Sequence, residues 1–275
     1  MIKRIVKEFR SNASWAVHNE VELFRCLASA IQKFSRSTFI DETHGGKVCN
    51  VEFDSVLNTT EVCEISDLLI MSISRTNEIR ATFWQAKKEK KSRWLFRNSL
   101  TTCLDFTGQF NQWDLLARRP TIRPAYGFNP PHDLLSAFDS ASIGSFGVFY
   151  EHKQNIEVAH SVAEMVTCAK PAKTSLAINS YLHKYNYHHS EAIGCLTLDG
   201  FLHALFAFRI GALIDSRQTA HAWLISRVLS KAKASGTSAA FIRALSAALI
   251  SDRATSNGDE PEFNVSILIV REENQ

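Results

Sequence analysis

The sequence predicts an α/β fold: a mixed central sheet flanked by helices, extended by a mainly helical C-terminal part. Three observations predict it. Short apolar runs bounded by turn-forming residues recur at 48–53, 64–73, 79–87 and 146–150, with the length and composition of strands. An apolar stripe at helical spacing precedes them over 13–34. Beyond Glu157 the period becomes helical, before alternation returns at 263–270. Residues 1–155 are therefore expected to form the α/β core, and residues 156–275 a helical extension whose closing strand packs on the same core.

In chain order, the first helix is expected over 13–34, with Asn12 or Ser14 as N-cap and Val17, Val21, Phe24, Leu27, Ala28 and Ile31 as its apolar stripe. Turning about 100° per residue puts Glu20 inside that stripe and Glu22 nearly opposite, beside Arg25 and Lys33. Residues 38–54 are polar and mixed, with Gly45-Gly46 marking a turn ahead of the first strand. The runs 64–73 and 79–87 flank the short polar segment Arg75-Thr76-Asn77-Glu78, so they pair as an antiparallel hairpin. Residues 94–117 carry apolar side chains at helical intervals and stop before Pro120, which cannot continue a helix. A proline-rich loop follows at 124–131, then the strand at 146–150. Helices are expected at 159–168, 175–184, 199–214, 219–234 and 238–251, with Gly236 separating the last pair. No internal repeat is visible.

Chemistry concentrates at the hairpin. Asp67 opens one of its strands, and Gln85 and Lys87 close the other. Strand side chains alternate, so Gln85 and Lys87 share one face and Ala86 takes the other. Phosphodiester hydrolysis uses such a set: a cation neutralises the phosphorane and acidifies the attacking water. Mg²⁺ suits it, being a hard ion that takes one or two carboxylates and keeps several waters. Asp67 offers the anionic ligand, the Gln85 side-chain carbonyl a neutral one, and the Ala86 backbone carbonyl a third. Lys87 would place an ammonium near the nucleophilic water or the developing charge. Glutamine in place of a carboxylate leaves the site less negative and lowers ion affinity. Glu20 is the preferred helix carboxylate over Glu22, because a carboxylate on a core-facing stripe is costly unless paired or metal-bound. His18, two residues earlier, is a further candidate.

The set Asp67…Gln85-Ala86-Lys87 resembles the D…(D/E/Q)xK motif of the PD-(D/E)xK, or restriction-endonuclease-like, superfamily, over roughly residues 12–125. The glutamine form is similar to nucleases of prokaryotic anti-phage defence and restriction, including effectors of cyclic-oligonucleotide immunity. The resemblance implies a restriction-endonuclease-like sheet with a core helix behind it. It also implies a Mg²⁺-dependent DNA endonuclease, with Mn²⁺ able to substitute. Its catalytic residues would be Glu20, Asp67, Gln85 and Lys87, and its metal ligands Asp67, Gln85, Ala86 and Glu20. A larger ATPase, helicase or sensor subunit is the implied partner, and the helical half offers a homo-oligomer interface. The segment 109–120 is similar to the region that follows the catalytic strand in defence nucleases; Gln109 and Gln112 there either touch the site or cap neighbouring structure.

Composition sets the limits. With 275 residues, 45% hydrophobic and 21% charged, the chain can bury a sizeable core. A net charge of +3 does not announce a nucleic-acid partner. Lys87, Lys88, Lys90, Lys91, Arg93 and Arg97 nevertheless crowd behind the hairpin, and Lys88, Lys90, Lys91 and Arg93 are either salt-sensitive DNA contacts or a solvated helix start. Six cysteines show no CxxC pair and lack the close spacing of a zinc cluster, so they read as reduced, mostly buried thiols. The N-terminus lacks the apolar run of a signal peptide, and the most apolar stretch, 196–214, is broken by Asp199, His203 and Arg209. No membrane partner is expected, and the expected location is cytoplasmic. His183, His188 and His189, set among tyrosines, either bind a cation or stack on bases, or form a surface loop. Two other functions stay open. One is a nuclease-fold subunit that binds nucleic acid or a partner with little or no turnover, for which Gln85 argues. The other is an effector whose helical half binds a nucleotide signal, for which no Gly-rich phosphate loop speaks.

Overall fold

The computed structural model describes residues 1–45, 49–89, 103–170, 173–179, 191–235 and 237–251. It opens with two helices, α1 (Ile2–Asn12) and α2 (Glu20–Phe34), which pack on each other through Ile5 and Phe9 of the first and Leu23, Phe24, Leu27 and Ile31 of the second. The second helix starts at Glu20 and not at residue 13. Asn19 Oδ1 accepts the Glu22 N–H at 3.0 Å, and Glu22 Oε2 accepts the Asn19 N–H at 2.7 Å. This reciprocal capping box satisfies donors that would otherwise be orphaned at the helix start. The apolar stripe ran on through Val17, but that side chain is 76% exposed.

The strands follow in order: β1 (Thr38–Glu42), β2 (Asn50–Asp54), β3 (Thr60–Glu64), β4 (Leu68–Ile73), β5 (Ile79–Lys88) and β6 (Cys103–Thr107). After α3 (Phe110–Arg118) come β7 (Ile122–Pro124), β8 (Gly144–His152), β9 (Asn155–Val162), β10 (Val166–Lys170), β11 (Lys173–Asn179) and β12 (Gly194–Cys195). The described chain ends with α4 (Leu198–Phe206), β13 (Ala212–Leu213), α5 (Thr219–Ala234) and α6 (Ala239–Ser251). A seven-stranded sheet runs β1-β4-β5-β8-β9-β12, with β13 added to β5. Its pairs are antiparallel except β5 with β8, so the sheet is mixed. Two three-stranded sheets, β10-β11-β6 and β3-β2-β7, accompany it.

The central sheet divides two apolar clusters. Trp84 and Ala86 of β5 join α1, α2 and α4, whereas Ala81 and Phe83 join α3, α5 and α6. Gly147 in β8 is required by this packing, since a Cβ there would lie 1.5 Å from Trp84 Cζ2. In the turn between β4 and β5, Asn77 takes φ +66°, a left-handed conformation asparagine tolerates.

Several expected elements differ. Residues 159–162, 166–168 and 175–179 are strand, not α-helix, and only the single 3-10 turn Ala163–Met165 interrupts the first two. Ala159, Val162, Ala163 and Val166 fall at helical spacing, but β9 is buried on both faces from Val158 to Val162, which erases the alternation that marks a strand. The β8–β9 turn is Lys153-Gln154 with φ +48° and +65°, a mirror-image hairpin turn made without the usual glycine. The helix expected at 199–214 ends at Phe206, and Gly211 at φ +89° folds the chain back so that β13 reaches β5. Residues 38–42 form a strand missed by composition, and 103–107 are strand within a segment expected to be helical. The expected strand at 263–270, the histidine cluster at 183–189, and Lys90, Lys91, Arg93 and Arg97 lie outside the described residues. Among the described residues no helix is long and apolar enough to cross a membrane.

Candidate metal centre

The centre forms where the end of β5 meets the start of β4. Asp67 is 2% exposed and tightly framed. Its backbone carbonyl accepts the Thr43 N–H at 2.9 Å, and the Thr43 hydroxyl donates to the Ser66 carbonyl at 2.7 Å. The carboxylate is divided between two neighbourhoods. Oδ2 accepts the Ala86 N–H at 2.7 Å and a short hydrogen bond from Gln85 Nε2. Oδ1 lies 3.0 Å from His44 Nδ1.

His44 joins a second acid. Its Nδ1 is 2.9 Å from Glu64 Oε2, while Glu64 Oε1 accepts the Gly45 N–H at 2.9 Å. The edge of the imidazole faces Phe24, with ring centres 6.0 Å apart. The hydrogen bond to Asp67 raises the His44 pKa to about 9, helped by the charges of Asp67 and Glu64 and opposed by burial. In the ion-free molecule an imidazolium thus supplies the positive charge that two converging carboxylates require.

Glu20, the first residue of α2, reaches the same strand end. Its Oε2 accepts the Lys88 N–H at 3.0 Å, and its Oε1 is 3.3 Å from Lys87 Nζ. Burial pushes the Glu20 carboxyl above its ordinary range; the Lys87 ammonium pulls it back, and the negative Asp67 raises it further. Lys87 is 8% exposed, so its ammonium is aimed by this contact and not left to solvent.

Glu20, Asp67, Gln85, Ala86 and Lys87 therefore occupy one neighbourhood, on the geometry above. The expected role of Gln85 needs correction: its nitrogen, not its oxygen, faces Asp67, and Oε1 is buried without a partner. Two acceptors cannot face each other unless a cation lies between them, so the amide must turn over before Oε1 becomes a ligand. Lys88 is also engaged elsewhere. Its Nζ donates to the carbonyls of Trp15 and His18, each at 2.7 Å, and sits 4.4 Å from the centre of the Trp15 ring. That ammonium pins the α1–α2 turn. His18 stays in the turn, where Nδ1 accepts the Ser14 N–H at 3.2 Å. Gln109 takes the N-cap position of α3 without a side-chain capping bond, and Gln112 is buried with an unbonded Oε1.

His44 and Glu64 escaped the sequence reading. Glu64 stood three residues before Asp67 and invited attention; His44 carried no local signal, because only the fold brings it there. His44, Glu64 and Asp67 offer one nitrogen and two carboxylate oxygens, all within 4.8 Å of one another, and could hold a metal ion. The donor set fits a divalent cation: two negative ligands and a neutral imidazole once its proton leaves. Cavities of about 500 Å³ beside Lys33 and Arg36 and about 690 Å³ beside Arg217 and His221 include none of these residues. Comparison with protein-family models, with curated proteins and with solved structures finds no match, so the meaning of the centre rests on its own geometry.

Proposed function

We propose that the chain is a metal-dependent phosphodiester hydrolase of the restriction-endonuclease-like kind, cutting DNA in the cytoplasm as an effector of prokaryotic anti-phage defence or restriction. One observation carries this reading. A buried aspartate, a glutamine and a lysine on one strand end, and a glutamate from the preceding helix lie in one neighbourhood, which supports the motif resemblance. Helix α3, packed against β8 through Leu116 and Gly144, is in keeping with the implied core helix.

A divalent cation bound at the centre supplies charge neutralisation at the scissile phosphate and an acidified water. Asp67, with His44 and Glu64, would hold it, and Mg²⁺ is the ion that the motif implies. Asp67 is fixed for this task by the Ala86 N–H and by the Thr43–Ser66 contacts behind it. Lys87, its Nζ 3.3 Å from Glu20 Oε1, presents an ammonium where negative charge develops. Glu20, whose carboxyl is held above its ordinary pKa range, is suited to take a proton from water and return it. A larger ATPase, helicase or sensor subunit is proposed as partner from the resemblance alone.

A second reading is favoured by the Gln85 amide, whose nitrogen occupies Asp67 where a catalytic carboxylate would bind the ion. It makes the chain a nuclease-fold subunit that binds nucleic acid or a partner protein with little or no turnover. Supercoiled plasmid, incubated with Mg²⁺ or Mn²⁺ and with EDTA as control, separates the two. Metal-dependent nicking that falls at least about a hundredfold in Lys87→Ala supports hydrolysis. DNA binding without nicking under any divalent ion supports the subunit reading, and equal nicking by wild type and Lys87→Ala removes Lys87 from the mechanism.

A further inference from the structure

We infer that His44 is a metal ligand, and that its nitrogen makes the centre a receptor for a first-row transition ion of the Mn²⁺ class in preference to Mg²⁺. The inference deepens the metal-dependent reading, but the binding it describes does not depend on catalysis. Three chain segments converge on the site: the loop after β1 brings His44, the end of β3 brings Glu64, and the residue before β4 is Asp67. Nδ1 is 2.9 Å from one carboxylate oxygen and 3.0 Å from the other. Ligands about 2.1 Å from a shared ion and at right angles lie about 3 Å apart, so the observed spacing already matches a coordination corner.

The orientation of each ligand is held independently of any ion. Glu64 is tied by the Gly45 N–H, Asp67 by the Ala86 N–H, and His44 by its packing against Phe24. Both hydrogen bonds spend the far oxygen of each carboxylate and leave the near one turned to Nδ1. Beside this corner the Gln85 side chain, 1% exposed, carries a buried oxygen with no partner. That oxygen is turned away from Asp67, whose Oδ2 is met by the amide nitrogen, so the ligand set rests on His44, Glu64 and Asp67 alone.

Ligand type decides which ion. Mg²⁺ favours an octahedron of oxygens and retains its waters, whereas imidazole suits transition ions that accept nitrogen and oxygen together. A set of one nitrogen and two carboxylates leaves positions for water and for a phosphate oxygen, which fits the proposed chemistry without being required by it.

The test uses the full chain freed of metal with EDTA and then of EDTA by dialysis. Mn²⁺ binding is read from loss of the free-ion electron paramagnetic resonance signal, and Mg²⁺ binding from competition with it. Wild type should bind one Mn²⁺ at least about tenfold more tightly than Mg²⁺, and His44→Ala should lose at least about tenfold in Mn²⁺ affinity with a much smaller effect on Mg²⁺. A second measurement needs no variant: the electron spin echo of Mn²⁺ bound to wild type should carry the modulation of an imidazole nitrogen. Absence of that modulation, or equal affinity for the two ions, overturns the inference and identifies the His44 contacts as a plain ion pair. Nitrogen-coupled Mn²⁺ without DNA cleavage under any ion would keep this inference and remove the hydrolase reading. Cleavage supported by Mg²⁺ with no nitrogen coupling would do the reverse.

Discussion

His44 holds a proton that an incoming ion must displace, and the sign of its titration follows. Its ordinary pKa is about 6.5 and its folded value about 9, so the imidazolium–carboxylate contact contributes fully below about pH 6.5 and fades as pH rises toward 9. Ion-free protein should therefore melt at progressively lower temperature across that window, and His44→Ala should remove the decline. Thermal melts in EDTA at intervals from pH 6 to pH 10 check this, and a flat wild-type profile would count against the contact. Ion affinity should move the other way, rising over the same window as the competing proton leaves. Gln85 yields a second prediction at this scale. Gln85→Glu sets a carboxylate against Asp67 Oδ2 in place of a donor, which should cost ion-free protein about 2 kcal/mol or more. The same change should enlarge the stabilisation by Mn²⁺ or Mg²⁺, measured as the difference in melting temperature with and without ion. That Asp67 and Gln85 meet was legible in the sequence because strand pairing across a short turn is a local rule. The direction of the Gln85 amide was not, because it depends on a donor and acceptor balance that only the assembled neighbourhood fixes.

Among the elements, α2 shows a signal that was present and outweighed. Asn19 followed by Glu22 is a capping box in sequence, yet an apolar stripe reaching back to Val17 suggested an earlier start. The correct start changes what Glu20 does: as the first helical residue it projects toward β5, where it accepts the Lys88 N–H and faces Lys87. Asn19→Ala should cost about 1 kcal/mol in denaturant unfolding and should also weaken the hold of Glu20 on Lys87, lowering turnover more than ion affinity. Loss of stability with unchanged turnover would limit Asn19 to a structural role. The β8–β9 hairpin was illegible for the opposite reason. Its turn residues Lys153 and Gln154 both adopt positive φ without being glycine or asparagine, so nothing in the sequence announced a reversal. With β9 buried on both faces, its period of two vanished as well, and the helical spacing of its apolar residues prevailed. Gln154→Gly should relieve the strained φ and raise stability by up to about 1 kcal/mol.

Across the whole molecule, the centre depends on how β5 is clamped. This strand is buried along nearly its full length, with antiparallel β4 on one side and parallel β8 on the other. The β8 register sets Gln85 opposite Phe146 and Lys87 opposite Val148, and Trp84 lies across Gly147 between them. A mixed sheet flanked by helices was legible from the alternating runs and the first apolar stripe. This clamp was not, because a parallel pairing joins segments with α3 between them and leaves no local mark. Gly147→Ala tests the clamp. Its new Cβ would stand 1.5 Å from Trp84 Cζ2, within a packed cluster that includes Phe149 and Phe201. Overpacking of this kind should cost about 3 kcal/mol, read as a lower denaturant midpoint at an unchanged slope. Because Trp84 immediately precedes Gln85, its displacement should also shift the Gln85 and Lys87 side chains, so Mn²⁺ affinity should fall even under conditions where the variant remains folded. An unchanged affinity in folded Gly147→Ala would mean that β4 and α2 position the ligands without help from β8.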